Sequence, residues 1–348
     1  MSTIAAQHSP TAGALSVDVC VIGAGPAGTA AAIAARSTGA QVCLITAPPQ
    51  RFARLELISG RARTALHDLE LLDVVSTAAQ PCDGSVIRWT DTDFDDNSCL
   101  LNPDGGGWIV ERRSFDEALH AAAGRLGMSV LVQRVVEVEE LSTYRHCART
   151  SEREVVADAV VIASGATRNP VRRLFDRHER RRMVALGVRL APDAIDDLGH
   201  RLLIDHAPNG WWYAIADGSA TDVVYCTDAS IAKGAKGIRA AWREACLSAA
   251  DWLPSAAHRR RPRVRPATVG VGWPSTRGRT RLVGDAALTV DPLSGHGITL
   301  ALLGAMRCNT VDYADWLADT AQRQERMESD VYRAACVGDG PFWDPRRA

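Results

Sequence analysis

The chain has 348 residues, 46% of them hydrophobic and 23% charged, with a formal net charge of −1. These figures describe one large or two ordinary globular domains, able to bury a full core without disulfide staples. They exclude a disordered chain, a collagen or a coiled coil, and the balanced charge offers no basis for binding nucleic acid or an anionic membrane.

After a short polar start, residues 17–22 read as a buried strand, 28–37 as an alanine-rich helix closed near Gly39, and 42–46 as a second strand. This βαβ unit opens a doubly wound sheet. Residues 61–75 carry Leu66, Leu69 and Leu72 at helical spacing. Residues 84–110 alternate loosely around polar loops, with a turn at Asn102-Pro103-Asp104-Gly105. A helix is predicted over 112–126, and strands over 129–138 and 155–163. From 170 to 280 the pattern becomes strand-rich, at 184–190, 211–216, 222–227 and 264–273, with a helix at 237–253. Residues 311–336 form a polar amphipathic helix or pair. The basic run at 258–265 reads as a solvated edge, because no aromatic residues interleave it.

The nine cysteines form no CxxC and no zinc-like spacing with histidine, so free buried thiols in a reducing cytoplasm are expected. The first 16 residues lack the basic start and apolar centre of a signal peptide. The uncharged stretch from Val19 to Ala35 contains Gly23, Gly25, Pro26 and Gly28, so it is strand, turn and helix, and no stable membrane insertion is expected. Only Lys233 and Lys236 are lysines; every other basic residue is arginine.

Gly23-Ala24-Gly25-Pro26-Ala27-Gly28 places GxGxxG between a strand and a helix. Gly23 permits the tight turn, Gly25 lets backbone approach a pyrophosphate, and Gly28 lets the helix pack on the sheet. The ribose-binding acid common at the end of the second strand is replaced by Thr46. Far downstream stand Gly284-Asp285-Ala286-Ala287 and Asp291-Pro292-Leu293-Ser294-Gly295-His296-Gly297-Ile298. Together these motifs resemble the FAD-binding core of the p-hydroxybenzoate hydroxylase and tryptophan-halogenase-like superfamily. The ending Gly340-Pro341-Phe342-Trp343 adds a resemblance to the LodB-like flavoproteins of quinone cofactor maturation.

The resemblance implies an α/β architecture: a Rossmann-like FAD-binding domain with an inserted, mainly β-sheet substrate domain. Residues 17–85, 108–168 and 275–310 are assigned to the first, 86–107 and 170–274 to the second, and 311–348 to a C-terminal helical segment. It implies FAD held by Gly23, Gly25, Pro26, Ala27, Gly28, Arg54, Arg112, Gly284, Asp285, Pro292, Gly295, Gly297 and Ile298. Asp285 would accept hydrogen bonds from ribityl or ribose hydroxyls. The N–H groups at Gly297 and Ile298 would face negative charge on the reduced ring. Arg54 and Glu56 fall where the family often places a flavin-edge segment. His296, Trp211 and Tyr213 are the catalytic candidates, His296 to relay a proton or orient substrate and the strand aromatics to line the substrate space. No metal is implied.

The implied reaction is aromatic hydroxylation through a flavin C4a-(hydro)peroxide, with molecular oxygen as co-substrate. The electrons come from NAD(P)H or from a partner flavin reductase. Ser164 stands where the family's NAD(P)H-linked aspartate is expected. The substrate is a peptidyl tryptophan in a precursor protein or a small aromatic metabolite. The alternative is a reductase resembling the geranylgeranyl enzymes. Halogenation is disfavoured, because family halogenases use a lysine in the N-terminal half and none precedes Lys233.

Overall fold

A computed structural model describes residues 13–48, 53–89, 93–166, 174–234, 236–249, 252–335 and 340–347. Its central sheet runs in the order Thr276–Arg277, Thr280–Leu282, Glu154–Ile162, Leu15–Ile22, Val42–Thr46, Ser129–Val132. All neighbours are parallel except the outermost hairpin. Cys20, Val21 and Ile22 are buried on both sides, which is why this strand reads as an unbroken apolar run. Helices Pro26–Ser37, Arg112–Arg125 and Gly297–Arg307 contribute to the cluster on one face. Strands Val135–Ser142 and Arg145–Thr150 fold against the start of Glu154–Ile162 and build the cluster on the other.

A second sheet of seven strands runs Arg263–Pro266, Met183–Leu190, Thr221–Asp228, Gly210–Ala216, Arg201–Ala207, Gly84–Arg88, Asp95–Ser98. One face packs on helix Ile238–Ser248, with Trp212 against Trp242 at 5.2 Å between ring centroids. Strand alternation turns Trp211, Tyr213, Val224 and Cys226 to the opposite face. There they meet Leu293, Tyr332, Phe342 and Trp343 from the C-terminal third of the chain. The basic run ends in the edge strand, and Arg259, Arg260, Arg261 and Arg263 are exposed, as expected of a solvated edge.

Four local expectations need correction. The helix over 61–75 is broken: Arg63–Asp68 ends in a Schellman turn, with Glu70 N–H donating to His67 and Leu71 N–H to Leu66. Glu70 takes the left-handed position usually held by glycine, at φ 56°, so nothing in the composition announced the stop. The strand over 264–273 is two strands in different sheets, because Val269–Trp273 pairs with Asp176–Arg181 and Leu288–Thr289. The strand over 129–138 likewise divides between the parallel sheet and the hairpin. Gly84–Arg88 belongs to the second sheet, so the chain changes sheets at Asp83 rather than after residue 85. Eight cysteines lie among the described residues, all free and seven of them buried.

Candidate functional site

The site begins where strand Leu15–Ile22 meets helix Pro26–Ser37. Gly23 N–H donates to the Ile45 carbonyl (2.7 Å), and at φ 105° a β-carbon on Gly23 would lie 2.3 Å from the Ala163 oxygen. A β-carbon on Gly28 would lie 1.7 Å from the Gly23 oxygen. Pro26 occupies the first helical turn and no side chain caps the helix, so its leading N–H groups remain available to an anion. His120 and Thr29 both bond the Ala24 carbonyl, at 2.7 and 3.3 Å, and fix the loop from behind.

The downstream motif closes on the same place. Gly284 has φ 59°, and a β-carbon there would lie 2.6 Å from the β-carbon of Ala27. The two motifs, over 250 residues apart in sequence, therefore touch. Asp285 is exposed, yet the surrounding walls desolvate its carboxyl and, with the nearby Glu56 charge, raise its pKa. No hydrogen bond reaches its side chain among the described residues. Pro292 and Gly297 are exposed, and Gly295 has φ 63° with open space where its β-carbon would project. Helix Gly297–Arg307 also starts without a side-chain cap, so the N–H groups of Gly297 and Ile298 are free in the same way.

Arg54 and Arg112 share one partner. Arg54 Nε bonds Glu56, Arg112 Nη1 donates to Glu56 at 2.8 Å, and Arg112 Nε donates to Asp116 at 2.9 Å. A guanidinium nitrogen of Arg112 lies 3.1 Å from where a Gly25 β-carbon would project, so this cation stands beside the glycine loop. Burial opposes ionisation of Glu56, but Arg112 and Arg54 outweigh it and hold its pKa at about 2 rather than 4.5. A depressed carboxylate stabilises the fold above its ordinary pKa, and the contribution fades as pH falls from about 4.5 towards 2. At 23% side-chain exposure the pair is only partly screened. Glu56→Gln is therefore expected to lose on the order of 2–3 kcal/mol at pH 7. The gap in urea midpoint from the parent protein should narrow below about pH 4.5.

His296 is half-buried between two polar anchors. Arg61 Nη1 lies 3.2 Å from Nε2, and Gln324 Oε1 lies 3.4 Å from Nδ1. A guanidinium only donates, so Nε2 accepts and Nδ1 carries the proton. Burial, followed by the Arg61 charge, lowers the pKa of this ring. His296 is thus a neutral, fixed imidazole, part of a string from Asp104 through Arg61 to Gln324.

The 291–298 loop is held from the C-terminal segment. Asp291, 1% exposed, caps Leu293 N–H and accepts from the Tyr332 hydroxyl at 2.9 Å. Arg346 lies over the Phe342 ring at 3.7 Å and binds both Asp228 carboxylate oxygens. Phe342 and Trp343 thus serve as a clamp against the second sheet. Tyr332→Phe removes a donor from a buried carboxylate, and is expected to cost about 1–3 kcal/mol, read from the urea midpoint.

The strand aromatics separate. Tyr213 is half-buried and joins Leu202 of the second sheet and Leu57 of strand Leu55–Ile58, which pairs with strand Gly107–Glu111 in a separate three-stranded sheet. Trp211, on the same face, is 1% exposed and packed behind Tyr213 at 6.0 Å between rings. Its place is in the core beneath Tyr332, Phe342 and Trp343, because the C-terminal clamp covers it. Sequence reasoning missed His120, Gln324 and Tyr332, which carry no motif of their own and reach Ala24, His296 and Asp291 from far along the chain. Thr167 and Arg168, the end of the segment around Ser164, lie outside the described residues.

These features fit FAD: a glycine loop opening on two uncapped helix starts, an adjacent arginine, and an exposed carboxylate with no partner of its own. A family model described as pyridine nucleotide-disulphide oxidoreductase matches residues 17–177. Among solved structures, a peptidyl tryptophan dihydroxylase, QhpG, essential for tryptophylquinone cofactor biogenesis, is similar at TM-score 0.76. It is 23% identical, over 96% of this chain and 79% of that one. The flavin-dependent halogenase CmlS is similar at TM-score 0.81 and 21% identity, over 95% and 68%. The chain has their fold. It is an α/β Rossmann-like FAD-binding fold with an inserted β-sheet domain. Among curated proteins, a digeranylgeranylglycerophospholipid reductase 1 of Methanothermobacter thermautotrophicus is 25% identical over 319 residues, covering 85% of this chain and 76% of the relative. No helix among the described residues is long and apolar enough to cross a membrane.

Proposed function

We propose that the protein is an FAD-dependent monooxygenase that hydroxylates an aromatic ring, with a peptidyl tryptophan as the first substrate to test. The observation that carries this reading is the meeting of two surfaces around Leu293 and Glu56. Leu293 of the 291–298 loop packs in one cluster with Tyr213, Leu202, Ile87 and Trp89 of the second sheet, and the Glu56 carboxylate, bound by Arg112 beside the glycine loop, acts on both Asp285 and Tyr213. An electron-rich ring entering between them would be held by apolar contact, with water displaced from around it.

In this reading Gly23, Gly25, Pro26, Ala27 and Gly28 hold the pyrophosphate of FAD, with Arg112 beside them. Asp285 accepts from its sugar-chain hydroxyls. Gly295, Gly297 and Ile298 bring backbone against the ring system. Bound FAD, once reduced, supplies the activation of O₂ and the transfer of one oxygen atom to substrate. The chain's own contribution is placement and charge. The free N–H groups at Gly297 and Ile298 favour negative charge at the adjoining edge of the ring system. The Asp104–Arg61–His296–Gln324 string keeps that loop in position, so His296 acts by orientation with its Nε2 already engaged. Tyr213 presents the substrate-side hydroxyl. Electrons come from NAD(P)H or a partner flavin reductase, and the free thiols suit a cytoplasmic setting.

The test is mass spectrometry of a tryptophan-containing precursor peptide and of small aromatic compounds after incubation with the protein, FAD, a reductant and O₂. Gain of one or two oxygen atoms supports hydroxylation. The match to the digeranylgeranyl enzyme motivates a second reading, a reductase. Gain of two hydrogens by an isoprenoid, with no oxygen transfer to any aromatic compound, would select it.

A further inference from the structure

The substrate-side face carries a cation that the fold does not pair. Arg265 lies on the edge strand Arg263–Pro266, in register with Ala185, which is in register with Cys226, which is in register with Trp211. That row sets Arg265 on the same face as Trp211 and Tyr213. Its side chain is half-buried. Burial, and then the Arg54 charge, push its pKa down.

The anions nearby are already committed. Asp222 accepts from Arg189 Nε at 2.8 Å, from Arg189 Nη2 at 3.3 Å and from Leu55 N–H at 2.7 Å. Glu56 is shared by Arg54 and Arg112. Among the described residues, no hydrogen bond or ion pair reaches the Arg265 guanidinium. None reaches the Tyr213 hydroxyl either, and Tyr213 and Arg265 lie within electrostatic range of each other. A half-buried guanidinium beside a second arginine is costly to fold around unless a ligand completes it.

Resting on the hydroxylase reading above, we propose that Arg265 and the Tyr213 hydroxyl bind a carboxylate carried by the aromatic substrate, and so set its specificity. Arginine offers a planar pair of donors matched to a carboxylate, and a phenol adds a third. Two sources share this chemistry: an acidic residue flanking the target ring in a peptide, and the acid group of a free aromatic acid.

The experiment titrates the FAD-loaded protein with matched charged and neutral probes, following the flavin absorption band. Indole-3-acetate is set against indole-3-acetamide, and the blocked peptide Gly-Glu-Trp-Glu-Gly against Gly-Gln-Trp-Gln-Gly. The anionic member of at least one pair is expected to bind about tenfold or more tightly. Arg265→Met should bring the pair to within about twofold, and Arg265→Lys should keep part of the preference. The pair that discriminates names the source. A second arm needs no cofactor: without added FAD, Arg265→Met should melt at or above the parent temperature, because an unpaired, partly desolvated charge is removed. Equal binding of charged and neutral probes, no binding by either anion, or a melting temperature several degrees lower in Arg265→Met would overturn the proposal. Failure of the protein to take up FAD would instead count against the hydroxylase reading, and the melting arm would still decide the role of Arg265.

Discussion

Gly28→Ala is expected to abolish FAD retention, raising its Kd by at least about 100-fold, and to lower the melting temperature. The added β-carbon would stand 1.7 Å from the Gly23 carbonyl oxygen and 3.1 Å from the Ala163 β-carbon. The first contact is with backbone, so no rotamer change relieves it. Helix Pro26–Ser37 must move away from the sheet, and its N-terminus moves with it. Overpacking of this kind costs about 1–3 kcal/mol or more in stability. The displaced N–H groups also lose their aim at the pyrophosphate. Gly124→Ala is the matched control. It lies in helix Arg112–Arg125 with nothing within 4 Å of the added carbon, and should stabilise by about 0.5–1 kcal/mol. FAD binding followed by fluorescence quenching, with melting curves for both variants, checks the pair. Retention of FAD at parental affinity by Gly28→Ala would contradict the geometry of the loop.

Asp285→Asn should separate binding from folding. The carboxylate is desolvated by its surroundings, sits near Glu56 and receives no hydrogen bond from the described residues. Folding therefore gains little from its charge, and the asparagine variant should be as stable as the parent or slightly more so. A charged acceptor facing cofactor hydroxyls is worth about 1.5–3 kcal/mol, so FAD affinity should fall roughly 10- to 100-fold. Loss of stability with unchanged FAD affinity would make Asp285 a structural residue.

The contrast between motif and partnership explains what could be read from the residues alone. The loop Gly23–Gly28 and the run from Gly284 to Ile298 were legible because a local backbone shape needs glycine at fixed spacing. Strand Leu15–Ile22 was legible because both its faces are buried. The stop at Glu70 was not, because a glutamate holds a conformation that glycine or asparagine usually announces. Nor was the split after Pro266, since two strands in different sheets share one apolar pattern. Pairings that span the chain left no local trace. Glu56 meets Arg112 only once strand Leu55–Ile58 pairs with strand Gly107–Glu111, and Asp291 meets Tyr332 only once helix Tyr313–Ala334 packs beside the 291–298 loop. Trp211 and Tyr213 looked equivalent in sequence, and the C-terminal clamp distinguishes them by burying the first.

The most direct test of the central claim is the absorption spectrum of the purified protein, with mass analysis of whatever it releases on denaturation. The account predicts a yellow protein with the two visible flavin bands, releasing FAD. A colourless protein that takes up no added FAD at saturating concentration would contradict it, and the glycine loop and the Asp285 cleft would then need another ligand.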